Sequence, residues 1–587
     1  MEGRHMMSQM RVAAGCGLLA CFAALGARTA SADPYVPEPQ PQKSAVEITA
    51  VYYPGTDQMS EWDIVAQTCP ERKPLLGWFD EGNPEAIDWQ IKWAVEHGVT
   101  SFLVDWYWCK GVQRLDHWVK AYPKAKFAKH LKWYINWCNH NEPGAHSVAD
   151  QIAVTKWWID NYFKEDYYYK DAKGRPLVVI WEWTNLERDF RAIAERNGEA
   201  NLPPGEGLKR ALDISRKLAV EAGLPGIQFT CFANGGRPKP EQMKALHHAG
   251  IEELFQYNIA WPHQLRGSMP PETRKRLEST PNWWKSPWRY DFALSREASY
   301  NWWKKNWDKD DIPFWPTLAT GWNSTPRDFG AANYVTNRTV AEFRKVCEEA
   351  KRFSVDMGCK RIVIGPMNEW QEGSYVEPNA EYGFALYDQV RDVFCVKPAA
   401  GWPKNLTPQD INRPNPQFPP MPFYDRTSWD FADGHQGWYR NPYGTQTIWP
   451  HDGEIEFFRT YAQRTPVAIR TRPKPFAAAP FTCFKVMMRL KPNLGRGEKF
   501  KPKGDEVVRL MWGRVGHPIL QKDPMSLTVK ADISAQSSAK AVLDGQWHEY
   551  TLPLAGNPNW NGTIDDLWFD PSDLLYVNAE IDWMRFE

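Results

Sequence analysis

The sequence predicts an α/β chain in two parts, a (β/α)8 TIM barrel followed by an all-β jelly-roll-like sandwich. Three observations predict it. Short apolar runs alternate with amphipathic segments over roughly 350 residues, the rhythm of a parallel sheet wrapped by helices. No GxGxxG phosphate turn follows the first run, as an open doubly wound sheet would favour. Past a proline-rich stretch the helical period disappears and only short alternating runs remain.

The strand candidates are Val46–Tyr53, Val99–Tyr107, Leu131–Trp137, Leu177–Trp183, Ile227–Ala233, Leu254–Ala260, Phe314–Ala319 and Arg361–Met367. Runs such as Leu177-Val178-Val179-Ile180 are apolar throughout, as strands covered on both faces must be. Between them lie the helix candidates Pro84–Glu96, Val148–Glu165, Gly207–Ala222, Glu241–His248, Tyr300–Trp307 and Thr339–Met357. The barrel is placed at 45–397. A stiff linker is placed at 398–425, where Pro398, Pro403, Pro408, Pro414, Pro416, Pro419, Pro420 and Pro422 fall. From 426 to 587, runs such as Phe484–Leu490 and Val507–Trp512 predict an antiparallel sandwich resembling carbohydrate-binding modules, which either holds glycan or braces the barrel.

At the N-terminus, Arg4 and Arg11 precede an apolar stretch that ends at Ala30-Ser31-Ala32, the small-x-small form of a signal-peptidase site. Residues 1–32 are read as a signal peptide, and the chain as secreted or periplasmic. The apolar run, about 15 residues, falls short of the ~20 needed to span a bilayer, so no membrane span is expected. Lys plus Arg and Asp plus Glu both total 71, a balance that gives no reason to expect a nucleic-acid partner. The eight cysteines beyond the signal are scattered and are read as buried apolar side chains with at most one disulfide. No metal ligand set and no cofactor motif is found, and oligomeric state is left open.

The chain has 32 Trp, 23 Tyr and 27 Phe, so aromatic faces on which sugar rings pack are plentiful, and a polysaccharide or oligosaccharide is the expected partner. Active sites of such barrels gather at the C-terminal ends of the strands. Those ends supply Tyr53, Asp105, Trp106, Asn136, Trp137, Glu182 and Tyr257, then Trp322 and Asn323 with Arg327 just beyond, and finally Asn368 and Trp370, all expected to bind substrate. Two carboxylates, Glu369 and Glu372, follow the last strand. Glycoside hydrolysis needs a pair of this kind, one group to protonate the leaving oxygen and one to assist at the anomeric carbon. By spacing alone they fit an ion pair or a helix cap equally well.

The segment Asn368-Glu369-Trp370-Gln371-Glu372-Gly373-Ser374-Tyr375-Val376-Glu377-Pro378 resembles the signature of family 99 glycoside hydrolases, the endo-α-mannosidases, and of WbsX-type domains. Tyr52-Tyr53-Pro54 and Gly321-Trp322-Asn323-Ser324-Thr325-Pro326-Arg327 extend the similarity, which runs from about Ala45 to Val396. It departs from the family pattern at Gln371, where His is usual, and at Asn323-Ser324, where Asp-Asn is usual. The resemblance implies a retaining hydrolase of α-linked 1,2-trans glycosides, of α-mannoside or α-L-rhamnoside type. Glu369 would take the proton of the sugar 2-hydroxyl, so that a 1,2-anhydro sugar forms, and Glu372 would serve as acid and then base. A WbsX-type glycosyltransferase and a non-catalytic glycan-binding protein are the alternatives.

Overall fold

The computed structural model describes residues 35–587 except 234, 259–261, 280–288, 309, 329–333, 441–447, 460–467, 493–500 and 523–528. The signal segment lies outside the described residues, as do Asn234 and the end of the strand expected at Leu254–Ala260.

The barrel strands are β1 (Glu47–Tyr52), β2 (Ser101–Cys109), β3 (Lys132–Trp137), β4 (Leu177–Ile180), β5 (Gln228–Phe232), β6 (Glu253–Phe255), β7 (Phe314–Trp315), β8 (Thr317–Ala319) and β9 (Arg361–Gly365). Each is parallel to its neighbours, and β9 pairs back onto β1. Only Pro316 separates β7 from β8. The first pairs with β6 and the second with β9, so the two act as one interrupted strand and the ring closes as an eightfold unit. Proline has no amide hydrogen for the ladder, but its carbonyl accepts from Val363 N at 2.9 Å.

Helices cover the outside. Asn83 caps Pro84–Glu96 with Pro84 in the first turn, and Ser147 and Thr339 cap Val148–Trp158 and Val340–Met357 through side chains that accept backbone N–H bonds. Trp183 does not extend β4 as expected. It starts a helix, Trp183–Arg196, because Trp183, Leu186, Phe190 and Ala194 recur at helical spacing and are buried. β6 is also shorter than expected, since Gln256 and Tyr257 leave the sheet for the barrel mouth. Among the described residues no helix is long and apolar enough to cross a membrane.

Residues 428–586 form two antiparallel six-stranded sheets with a shared core that includes Phe457, Phe484, Val486, Leu510, Phe569 and Ile581. Every second residue of Cys483–Leu490 is buried, the period of a sheet with one covered face. The segment at 398–425 lies against the barrel. Trp93 Nε1 donates to Leu406 O at 2.8 Å, Phe418 N to Trp78 O at 2.8 Å, and Arg413 pairs with Glu85 at 2.5 Å.

Sandwich and barrel meet on α1 (Met59–Thr68), an unexpected helix inserted after β1. Ile64, Val65 and Cys69 pack with Met511, Ile519 and Trp568 of the sandwich. On the same helix Asp63 and Glu61 are buried, and the sandwich supplies their partners. Tyr439 OH donates to Asp63 at 2.8 Å, Arg470 reaches it at 3.3 Å, and Arg440 reaches Glu61 at 2.8 Å. Polar groups buried against each other in this way tie the two parts together, since parting them would strand both sets.

Candidate active site

The catalytic candidates sit on a tight hairpin. Asn368–Glu369 pairs with Ser374–Tyr375, and Trp370–Glu372 between them forms a single 3-10 turn. With three residues per turn, side chains at i and i+3 eclipse, so Glu369 and Glu372 project to one side. Trp370 and Gln371 go the other way. The Trp370 ring packs on Trp62 and Tyr375, and Gln371 Nε2 donates to Glu61 O at 3.3 Å. Gly373 closes the turn at φ 65°, and a Cβ there would lie 2.8 Å from Asn323 N, so both conformation and space require glycine. Asn323 N donates to Glu372 O at 2.6 Å, which ties the strand-end segment after β8 to this turn.

Both carboxylates line a cavity of about 270 Å³ at the barrel mouth, together with Asp105, Tyr107, Trp181, Phe232, Tyr257 and Trp322. Trp181 stacks on Phe232 at 4.4 Å and meets Tyr257 edge-on at 4.8 Å, forming an aromatic wall of the cavity. Tyr257 reaches this point because Gly365 of β9 makes room. A Cβ on Gly365 would fall 1.9 Å from Tyr257 O.

One hydrogen-bonded chain runs through the cavity floor. Asn136 Nδ2 donates to Asp105 Oδ1 at 2.7 Å, and Tyr257 OH lies 3.2 Å from Asp105 Oδ2 and 2.9 Å from Glu369 Oε2. Burial pushes the Asp105 carboxyl up to about 7, against the lowering effect of its bonds to Asn136 and Tyr257 and with added repulsion from Glu372. A protonated Asp105 can donate to the Tyr257 oxygen, leaving the phenol hydrogen for Glu369. Burial, with Asp105, Glu369 and Glu372 close by, also holds the Tyr257 phenol well above its ordinary range, so it acts as a donor and not as an anion.

Of the residues expected from the sequence, Asp105, Tyr257, Trp322, Glu369 and Glu372 come together here. Trp106 and Trp137 do not. Both are buried under the helices, Trp106 with its Nε1 3.3 Å from Tyr162 OH and Trp137 with its ring against Trp158, because side chains alternate along a strand and these two point outward. Asn136 is one position away from Trp137 and faces in, where it holds Asp105 from behind. Asn368 lies under the turn, with Oδ1 accepting from Tyr53 N at 2.8 Å and Nδ2 donating to Glu81 at 3.0 Å, so Tyr53 and Asn368 brace the hairpin. Glu182 stands at the N-terminal boundary of the helix Trp183–Arg196 without a capping side-chain bond and lies outside the cavity lining, with its N–H on Asn139 Oδ1. Asn323 lines a neighbouring cavity. Arg327 is on the one-turn helix Thr325–Asp328, and its side chain lies outside the described residues.

Tyr107, Cys138, His140, Trp181 and Phe232 were not selected from the sequence, yet all line the cavity. Counting two residues on from Asp105 and from Asn136 would have found Tyr107 and Cys138. His140 stands beside Trp181 and Tyr107, and burial lowers its imidazole pKa. The eight described cysteines are all unpaired, and five of them are buried.

Residues 204–390 match the model of the family described as Glycosyltransferase WbsX. The chain is 21% identical over 364 residues to the Uncharacterized protein WxcX of Xanthomonas campestris pv. campestris (strain B100), a match covering 58% of this chain and 46% of that protein. The chain thus aligns with less than half the length of the curated relatives it matches. Among solved structures, a glycoside hydrolase-like protein aligns with 62% of this chain and 98% of its own at 12% identity and TM-score 0.41. The GH99 endo-alpha-mannosidase from Bacteroides thetaiotaomicron aligns with 59% and 98% at 16% identity and TM-score 0.35. The family model spans Tyr257, Trp322, Asn323, Glu369 and Glu372, and over that stretch this chain resembles WbsX-type domains.

Proposed function

We propose that this chain is a secreted retaining glycoside hydrolase that cleaves α-linked 1,2-trans glycosides, of α-mannoside or α-L-rhamnoside type, within a polysaccharide. One observation carries the reading. Glu369 and Glu372, one 3-10 turn apart, face the same aromatic-walled cavity, and Tyr257 bonds to Glu369. A surface ion pair or a helix cap needs neither the cavity nor the aromatic wall. The division of roles rests on the resemblance of the segment from Asn368 to Pro378.

In the first step the Glu369 carboxylate removes the proton of the 2-hydroxyl. The 2-oxygen attacks C1, the bond from C1 to the leaving oxygen breaks, and Glu372 protonates that oxygen. In the second step the Glu372 carboxylate takes a proton from water and the water oxygen attacks C1. The bond between C1 and the 2-oxygen then breaks, and Glu369 returns its proton to that oxygen. Two inversions give net retention. Tyr257 holds Glu369 in place and offsets its charge while it awaits the proton.

The test is a panel of α-mannans and rhamnose-containing glycans with wild type, Glu369→Gln and Glu372→Gln, following the first product by anomeric NMR. Cleavage with retention, lost in both variants and on 2-O-methylated substrate, is the expected result. Full turnover by either variant, or efficient cleavage of the methylated substrate, overturns it. The match to a family described as a glycosyltransferase favours a second reading, glycosyl transfer. That reading requires consumption of a nucleotide sugar, and release of nucleotide from such donors by the purified chain would establish it in place of hydrolysis.

A further inference from the structure

A second cavity, of about 240 Å³, lies where the barrel meets the sandwich, and it shares Trp322 with the catalytic one. Its barrel side includes Arg72, Arg338 and Tyr375, and its sandwich side is Lys522 and Val529, from the hairpin of Leu520–Lys522 with Val529–Ala531. We propose that this junction cavity is a distal subsite for an anionic sugar of the same glycan, one bearing a carboxylate or sulfate, held by Arg72 and Lys522. The inference rests on the hydrolase reading above and extends it to the substrate's charge.

The cations in the lining differ in what they have left to give. Arg338 is committed. It stacks at 4.3 Å on Tyr375 and 4.9 Å on Tyr382, donates to Thr320 O at 2.6 Å and Gly373 O at 3.0 Å, and pairs with Glu381 at 3.4 Å. Arg72 is only 3% exposed, and its guanidinium donates to two backbone carbonyls, Trp370 O at 2.8 Å and Asn323 O at 3.1 Å. Neither partner carries charge, and among the described residues Arg72 has no carboxylate within ion-pair distance. A buried guanidinium with donors to spare and no counter-charge is costly unless an anion completes it, and its fork suits a carboxylate or sulfate. Lys522 is exposed and likewise makes no ion pair among the described residues. Glu71, also in the lining, is exposed and pairs with neither cation among the described residues.

The position argues for a glycan and not a free ion. Gly373, in the lining, directly follows Glu372, and Asn323, also in the lining, bonds to the Glu372 carbonyl. Trp322 lines both cavities, so a glycan that crosses this residue extends from the acids into the junction cavity. The sandwich takes part in recognition here, through a charge presented at the junction.

The experiment measures binding of neutral α-mannan oligosaccharides to the full chain by calorimetry, beside two charged forms, one oxidised at C6 to carboxylates and one sulfated. At low salt at least one charged form binds about tenfold tighter than the neutral one, with the advantage fading as salt rises. Which form gains identifies the anion. Lys522→Glu abolishes the advantage, and Lys522→Arg restores it. Equal affinities for all three ligands, or an advantage that survives Lys522→Glu, overturns the proposal. If charged forms bind through Lys522 but nothing is cleaved, the hydrolase reading fails and the subsite stands. Neutral cleavage without any charge preference gives the reverse.

Discussion

On β2 and β3 and just past the end of β3, the residues facing the barrel mouth are Asp105, Tyr107, Asn136 and Cys138, whereas Trp106, Trp108 and Trp137 point out beneath the helices. The two sets are one residue apart along the same strands, and cross-strand register keeps them apart, Asp105 beside Asn136 and Trp106 beside Trp137. The inner set is polar and spends its hydrogen bonds on one another and on Tyr257. The outer set is aromatic and spends its area on packing. Both are buried, so burial alone does not separate a reactive face from a structural one, and the difference lies in what each face is buried against.

Four substitutions break or sharpen this contrast. The largest effect is expected on the outer face, where Trp137→Ala removes a fully buried indole and costs about 4 kcal/mol of stability. Denaturant titration measures this, and kcat/KM of the folded fraction stays near wild type. A selective loss of kcat/KM with unchanged stability would return Trp137 to the substrate site. Next, Asp63→Ala on α1 strips Arg470 and Tyr439 of a buried partner and lowers the unfolding free energy by about 3 kcal/mol. Since α1 also backs Trp370 and Gln371, activity falls before the sandwich unfolds, which parallel activity and circular dichroism melts detect.

On the inner face, Tyr257→Phe removes a neutral-to-charged hydrogen bond worth about 2 kcal/mol, so kcat falls some thirtyfold with little change in melting temperature. The smallest effect concerns pH. Asp105 holds its proton up to about 7 in the folded chain against an ordinary 3.8. Between those values the folded state binds more protons than the unfolded, so stability falls as pH rises through the window. Asp105→Asn cannot titrate and flattens that fall, and melting curves of the two proteins from pH 4 to 7 compare the slopes. Parallel slopes would show that Asp105 is ionised throughout.

Much of this was legible in the residues. The alternation of apolar runs and helical periods announced the barrel, and the segment from Asn368 to Pro378 singled out Glu369 and Glu372. Their spacing of three also suits the turn that aims them together. Trp183 was misplaced because an apolar run continues across the end of β4, and nothing local marks where a strand yields to a helix that begins on a Trp. His140 was passed over because its role comes from Trp181 and Tyr107, residues that the sequence does not place beside it. The segment at 398–425 was read from its prolines as a stiff linker, a reading that cannot see the bonds from Trp93, Trp78 and Glu85 that hold it to the barrel.

What the sequence by itself determined is the order of elements and the presence of the paired carboxylates, both written in local periodicity and a contiguous motif. Tertiary structure alone decided the facing of Trp106 and Trp137, the meeting of Tyr257 with Glu369, and the pairing of Asp63 with Arg470. The physical reason is that a parallel barrel buries both faces of its strands, so the polar–apolar alternation that elsewhere tells inside from outside is erased. Contacts across more than a hundred residues, such as that from Tyr257 to Glu369, depend on ring closure and register, which no local stretch encodes.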